Sequence, residues 1–217
     1  MQVYRCEAVC DLWQSPAANE RVSQLWPGRT FQIVQQQGTA SAVQSLEDGY
    51  QGWLGESEYQ ETTLHPRPGL VRAAIQARLE AVLAFAETAA QQPNTYLWGG
   101  SAGPNYDCSG LVQRSFASID IWLPRDAYQQ AAWCEPLAAD ELERGDLIFF
   151  QHGQRVDHVA IYGGAGRYLH SSGARHGHNG IAWDQREDTQ SPIARHYNAA
   201  ICGYGRIMRS LDYPCVT

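Results

Sequence analysis

Gly99-Gly100-Ser101-Ala102-Gly103-Pro104-Asn105-Tyr106-Asp107-Cys108-Ser109-Gly110-Leu111-Val112 sets a glycine-rich loop directly before a cysteine and the start of a helix. Val112, Phe116 and Ile119 fall on one side of that helix, and Asp107 or Ser109 can cap it. A thiol at a helix N-terminus meets unpaired backbone N–H groups and the positive end of the dipole. Both lower its pKa and favour the nucleophilic thiolate. The same N–H groups can hold an oxyanion. The competing reading of a lone cysteine is a small buried residue packing the helix start. A base and a group that orients it separate the two readings.

Downstream, Leu147-Ile148-Phe149-Phe150 reads as a buried strand. His158 to Tyr162 and Arg167 to Ser171 read as a hairpin around Gly163, Gly164 and Gly166. With residues 158 and 170 facing each other, their Cβ atoms stand about 5 Å apart on one face. A slip of one residue puts them on opposite faces. In the facing register Cys108, His158 and His170 form a nucleophile, a base and an orienting group. Upstream, Val71, Ile75, Leu79, Val82 and Ala86 share one helical stripe, which Pro93-Asn94 ends. Helices first and strands after make this half α+β.

The residues before the stripe read differently. Val3 to Leu12, Val22 to Leu25, Thr30 to Val34 and Thr39 to Ser45 are β-rich runs. Ser15-Pro16, Pro27-Gly28 and Asp48-Gly49 are turns between them. Short, closely spaced strands suggest a small barrel or sandwich over residues 1–63. Leu64-His65-Pro66-Arg67-Pro68-Gly69 reads as a semi-rigid linker at 64–69, followed by a second domain over 70–217.

Composition narrows the function. The 217 residues carry a formal charge of −7 and no basic run, which argues against nucleic acid and anionic membrane surfaces. The longest apolar stretch, Ala81 to Ala86, falls far short of the ~20 residues a bilayer needs. Arg5, Glu7 and Asp11 interrupt any signal-peptide core, so a cytoplasmic location is expected, or a mature form without its leader. Six cysteines then read as thiols, ligands or a nucleophile. Cys6 and Cys10 form a Cys-x₃-Cys pair without a second pair, a weak zinc signal. Cys134, Cys202 and Cys215 read as packing or terminal residues. His176 and His178, with His196, read as a polar loop, since no carboxylate or cysteine in the sequence completes a metal set. Trp13, Trp26 and Trp53 read as barrel core rather than a sugar-stacking platform. No metal and no cofactor is expected.

Six segments in order resemble the NlpC-type cell-wall cysteine peptidases, a papain-like group from bacteria. They are Tyr96-Leu97-Trp98-Gly99-Gly100, Tyr106 to Val112, Leu123-Pro124-Arg125-Asp126, Gly145 to Phe150, Asp157 to Tyr162, and Tyr168-Leu169-His170-Ser171-Ser172. Leu25-Trp26-Pro27-Gly28 and Asp48-Gly49-Tyr50-Gln51-Gly52-Trp53-Leu54 are similar to bacterial SH3-like domains. The resemblance implies an SH3-like β-barrel followed by a papain-like α+β catalytic domain. It also implies a γ-D-glutamyl-L-diamino acid endopeptidase acting on murein stem peptides at the D-Glu–meso-diaminopimelate bond. Cys108 would be the nucleophile, His158 the base and His170 its orienter. Tyr96 would hold the oxyanion beside the Cys108 N–H. In such relatives the SH3-like domain narrows the cleft to peptides with a free L-Ala amine. Asp107 would accept that ammonium and Tyr50 would close its subsite. From its charge, Arg125 is expected to pair with the D-Glu α-carboxylate, and Ser109 and Asp126 complete the expected substrate-binding set. Ala127 stands where relatives often have Ser. A murein amidase or acyltransferase with the same triad, and a non-catalytic wall-binding module, are the competing readings.

Overall fold

The computed structural model describes residues 2–216. The first domain is built from β1 (Val3–Cys6), β2 (Cys10–Trp13), β3 (Arg21–Leu25), β4 (Thr30–Gln37), β5 (Ala40–Ser45), β6 (Gln51–Leu54) and β7 (Tyr59–Thr62). They form one seven-stranded antiparallel sheet in the order β3-β2-β6-β5-β4-β1-β7. The run expected from Val3 to Leu12 is two strands, broken at Glu7-Ala8-Val9. The core is Cys6, Cys10, Leu12, Leu25, Phe31, Val43 and Leu54. Trp13 and Trp53 are only half-buried and stand outside it, so the expectation of three core tryptophans is corrected. Trp26 is buried, but against the second domain.

The second domain opens with α1 (Arg72–Gln76) and α2 (Leu79–Gln91), two helices where the stripe predicts one. Ile75, Leu79, Val82 and Ala86 are still buried together, so the stripe faces the core across the break. Next come α3 (Cys108–Ala117), α4 (Ala127–Trp133) and the strand Glu135–Leu137. The main strands are Leu147–Phe150, His158–Gly164, Arg167–Ser172 and Gly180–Gln185, followed by α5 (Pro192–Asn198) and Ile201–Arg206. These six strands pair antiparallel into one sheet, ordered Gly180–Gln185, Arg167–Ser172, His158–Gly164, Leu147–Phe150, Ile201–Arg206, Glu135–Leu137. Leu147–Phe150 is central, and all four of its side chains are buried. Leu147 and Phe149 face the cluster containing α2 and α3, while Ile148 and Phe150 face Tyr197 of α5. Helices therefore cover both faces, which is why this strand is apolar without alternation.

The expected linker is partly a strand. Leu64–Arg67 pairs antiparallel with Tyr213–Val216, so the C-terminal segment returns to the junction. Gly69 packs so closely that a Cβ there would lie 2.3 Å from the Ser210 carbonyl oxygen.

The domains meet through a buried polar and aromatic contact. Trp26 stacks on Trp122 with 5.6 Å between ring centroids and 5° between planes. The Arg29 guanidinium, 2% exposed, lies 4.5 Å from the Trp26 ring and 4.9 Å from the Trp122 ring. Glu47 and Asp48 neutralise it at 2.8 and 3.0 Å. Gln113 of α3 reaches across to donate to the Asp48 carboxylate at 2.7 Å.

Candidate active site

Asp107 is the N-cap of α3. Its Oδ1 accepts from the Gly110 N–H at 2.6 Å. The glycine-rich loop lies over the helix start, and a Cβ on Gly110 would stand 2.0 Å from the Gly100 carbonyl oxygen. Ser101 fixes the loop to β3, donating to the Gln24 carbonyl at 3.0 Å and accepting from the Gln24 N–H. This architecture leaves Cys108 buried, with Sγ 3.9 Å from the Asp157 carbonyl oxygen. Burial pushes the thiol up to about 12, and Asp107 adds to the rise. The Val159 and Ser109 N–H groups pull the other way. The lowered pKa expected at a helix N-terminus is thus overridden by burial beside a carboxylate.

His158 and His170 do come together, but not in the expected register. Ile161 pairs with Leu169 and Tyr162 with Tyr168, which puts His170 opposite Ala160 rather than His158. The slip is two residues, so both rings keep one face and meet on the diagonal. His158 Nε2 lies 2.7 Å from His170 Nδ1, and both residues are buried. Tyr197 of α5 lies against both rings, at 4.6 and 4.7 Å between centroids. Burial, then the neighbouring His170, holds His158 well below 6.5. Burial lowers His170 too, although Asp184 opposes it. The resting pair is therefore a neutral thiol and a neutral imidazole.

Asp184 was not singled out in the sequence. Its Oδ2 lies 2.9 Å from His170 Nε2, and His178 Nε2 approaches the same carboxylate at 3.1 and 3.2 Å. Burial acts to raise Asp184, but the hydrogen bonds from His170 and His178 prevail and hold it below the usual carboxylate value. One signal was available: Asp184 ends the otherwise apolar run Ile181-Ala182-Trp183, on the same face as His170. The expectation that no carboxylate joins His178 is corrected. His170, His178 and Asp184 bring three potential ligand atoms within 4.8 Å of one another, and all three residues are engaged in the hydrogen bonds just given. His176 and His196 instead stack, at 4.5 Å between centroids.

The cleft beside Cys108 encloses about 250 Å³ and is lined from both domains. Tyr96, Trp98 and Asp157 line it from the second domain, and Glu20, Val22 and Tyr50 line it from the first. The Tyr96 hydroxyl is pushed up by burial and by Cys108, so it stays a donor. The Tyr50 hydroxyl donates to the Val22 carbonyl at 3.4 Å. Burial raises both Tyr50 and Asp126, and the Asp126 charge adds to the rise at Tyr50. Asp107, Ser109, Asp126 and Ala127 also face the cleft.

Arg125 does not. It is 1% exposed and pairs with Asp107 at 2.6 Å, with Ser109 Oγ at 2.9 Å and with Ser23 Oγ of β3 at 2.9 Å. Its expected role with a substrate carboxylate is corrected, because it is buried outside the cleft lining and each of its three nitrogens is bonded inside the protein. The arginine that lines the cleft is Arg155, whose guanidinium lies 4.2 Å from the Tyr128 ring. Cys6 and Cys10 are buried in the first-domain core, Cys134 is half-buried and Cys202 is exposed. The Cys215 side chain lies outside the described residues.

Comparison with known proteins agrees with this geometry. Residues 93–199 match the NlpC/P60 family, and residues 12–58 match the bacterial dipeptidyl-peptidase Sh3 domain. A bifunctional muramidase/DL-endopeptidase of Bacillus subtilis is 44% identical over 81 residues, 36% of this chain and 25% of that protein. A gamma-D-glutamyl-L-lysine dipeptidyl-peptidase of the same organism is 39% identical over 79 residues, 35% of this chain and 27% of that protein. The chain thus spans about a quarter of the length of these relatives. An NlpC/P60 family protein of Bacillus cereus has the same fold, with a TM-score of 0.74 at 17% identity. That alignment covers 95% of this chain and 99% of the other. The second domain therefore belongs to the NlpC/P60 family, and the chain carries it behind a bacterial SH3-like domain.

Proposed function

We propose that the protein is a cysteine endopeptidase that hydrolyses the γ-D-Glu–meso-diaminopimelate bond of murein stem peptides with a free N-terminal L-Ala. The observation that carries this reading is the two-domain cleft, which Tyr50 and Glu20 of the SH3-like domain line together with Cys108. A cleft of about 250 Å³ walled by both domains suits a short peptide end better than a glycan-linked one. Glu20, Asp107, Asp126 and Asp157 make the cleft rich in carboxylates, which suits an ammonium group. Arg155 takes the D-Glu α-carboxylate, the role once expected of Arg125. The relatives named as a DL-endopeptidase and as a gamma-D-glutamyl-L-lysine dipeptidyl-peptidase support the reaction class.

The Cys108 thiol gives its proton to His158 Nδ1 as sulfur attacks the γ-carbonyl carbon. The Cys108 backbone N–H and the Tyr96 hydroxyl stabilise the oxyanion. Collapse returns the proton from His158 to the departing amine of the diamino acid and leaves a thioester. Water, deprotonated by the same imidazole, then releases L-Ala-D-Glu. No cofactor enters these steps. Peptides with a free L-Ala amine arise once stems have been cut from the glycan, so the protein works in the cytoplasm in murein-peptide recycling. Recovery of the native protein from the periplasm or medium would refute that location.

The test is incubation of L-Ala-γ-D-Glu-meso-diaminopimelate, and separately its N-acetylated form, with wild type and Cys108→Ala. Mass spectrometry follows release of L-Ala-D-Glu. Cleavage of the free-amine peptide alone, by wild type alone, is the expected result. Cleavage of both peptides would remove the amine requirement and direct attention to Ala127. On a muramyl tripeptide incubated alongside, release of the intact peptide from the muramyl group would show an amidase, and binding without turnover of any of the three would show a wall-binding module.

A further inference from the structure

We propose that Asp184 is a positioning residue of this site: it sets the tautomer of His170, and through it that of His158, so that the nitrogen offered to Cys108 is the basic one. The inference rests on Cys108 and His158 acting as nucleophile and base. The three groups form an unbroken buried line. Asp184 Oδ2 stands 2.9 Å from His170 Nε2, and His170 Nδ1 stands 2.7 Å from His158 Nε2.

Each contact fixes the next. An ionised carboxylate only accepts hydrogen bonds, so His170 Nε2 must carry a proton. A neutral imidazole holds one N–H, which leaves His170 Nδ1 with a lone pair. His158 Nε2 must then be the donor across 2.7 Å, and its lone pair falls on Nδ1. Among the described residues that nitrogen has no hydrogen-bond partner of its own, so it is free to accept a proton. Both histidines are neutral at rest, held there mainly by burial, so the assignment describes the ground state.

His178 strengthens the arrangement. Its Nε2 lies within 3.2 Å of both Asp184 oxygens, so a second N–H helps keep the carboxylate ionised and accepting. During the reaction the proton lost from Cys108 stays on His158 Nδ1 until it reaches the leaving amine. Asp184 neither gains nor loses a proton. It also faces the imidazolium through one intervening ring and stabilises that charge. Removing it opens the other order, in which His170 Nδ1–H donates to His158 Nε2 and His158 turns a protonated Nδ1 toward the thiol. That tautomer cannot accept the proton.

A merely structural tie between Arg167–Ser172 and Gly180–Gln185 would affect folding but leave the tautomer unchanged. The experiment therefore reads both. Nitrogen-15 NMR of histidine-labelled Cys108→Ala protein, with and without Asp184→Asn, reports which nitrogen of His158 is protonated. Steady-state kinetics of Asp184→Asn and Asp184→Glu on the tripeptide report kcat and KM. Expected are a His158 protonated at Nε2 with Asp184 present and at Nδ1 in Asp184→Asn. A fall in kcat of at least 100-fold with KM within about threefold is expected, with partial recovery in Asp184→Glu. A His158 protonated at Nδ1 while Asp184 is intact would overturn the proposal, even if Asp184→Asn does not fold. So would a folded Asp184→Asn with unchanged kcat. Failure of wild type to cleave the tripeptide would defeat the substrate reading, and the tautomer measurement would then decide the role of Asp184 by itself.

Discussion

At the scale of single residues, Cys108 is set by two opposing effects. The helix N-terminus offers N–H groups to a thiolate, while burial and Asp107 favour the thiol. The thiol prevails at rest, so in the proposed reaction the nucleophile forms only as the proton passes to His158. Cys108→Ala should abolish hydrolysis, and Cys134→Ala should retain most activity, checked on the same tripeptide. Because His158 is held well below 6.5, the acid limb of kcat/KM should lie below pH 6.5 rather than at it. The alkaline side should fall as the substrate α-amine loses its proton near pH ~8. A pH series on the free-amine peptide tests both limbs. Arg125 makes a different prediction. Arg125→Ala strands a buried Asp107 and should cost about 3–5 kcal/mol, read from denaturant melts. Cys108, His158 and His170 stand out in the sequence because their neighbours form motifs, and the structure buries all three. It hid the use of Arg125, because a formal charge does not reveal which carboxylate neutralises it after folding.

At the scale of elements, the histidine pair depends on register. Pairing of residue 158 with 170 was expected, and the strands pair two residues away from it. Parity put both rings on one face, and the length of the imidazole bridged the diagonal. A slip of one residue would have destroyed the site, and a slip of two did not. Exact pairing was not legible because the bulge after Tyr162 shifts the hairpin, and three glycines carry no side chain to specify it. The α3 start is less forgiving. Gly110→Ala drives a Cβ to 2.0 Å from the Gly100 carbonyl oxygen, backbone that cannot move without displacing Cys108. The expected outcome is a lower melting temperature and a kcat loss of tenfold or more. Preserved kinetics would show that the loop has more freedom than this packing implies.

At the scale of the whole molecule, the interface that brings Tyr50 to the cleft is the part the sequence could not convey. Trp26 reads as core from its neighbours and is buried, yet its partner Trp122 lies in the other domain. The linker likewise reads from its prolines, while its pairing partner, Tyr213–Val216, lies far along the chain. Trp26→Ala should loosen the domains, splitting the calorimetric transition and weakening the preference for free over acetylated L-Ala more than it lowers kcat. Stability should also depend on pH with a definite sign. His158 and His170 are depressed when folded, so below about pH 6.5 the unfolded chain binds protons that the native state refuses. Their contribution is complete above pH 6.5 and is lost as the pH falls, by up to about 1.4 kcal/mol per unit for each group. Thermal melts at pH 5 and pH 7.5 measure it.

The order of parts along the chain has a consequence for biosynthesis. A ribosome delivers Tyr50 before Cys108, Cys108 before His158, and the strand that ties the junction, Tyr213–Val216, after all of them. N-terminal domains generally fold first as they emerge. The first-domain lining of the cleft is thus folded before Cys108 exists, and His158 arrives later still. On the proposed reading, the part that selects the substrate is made before the parts that cut it.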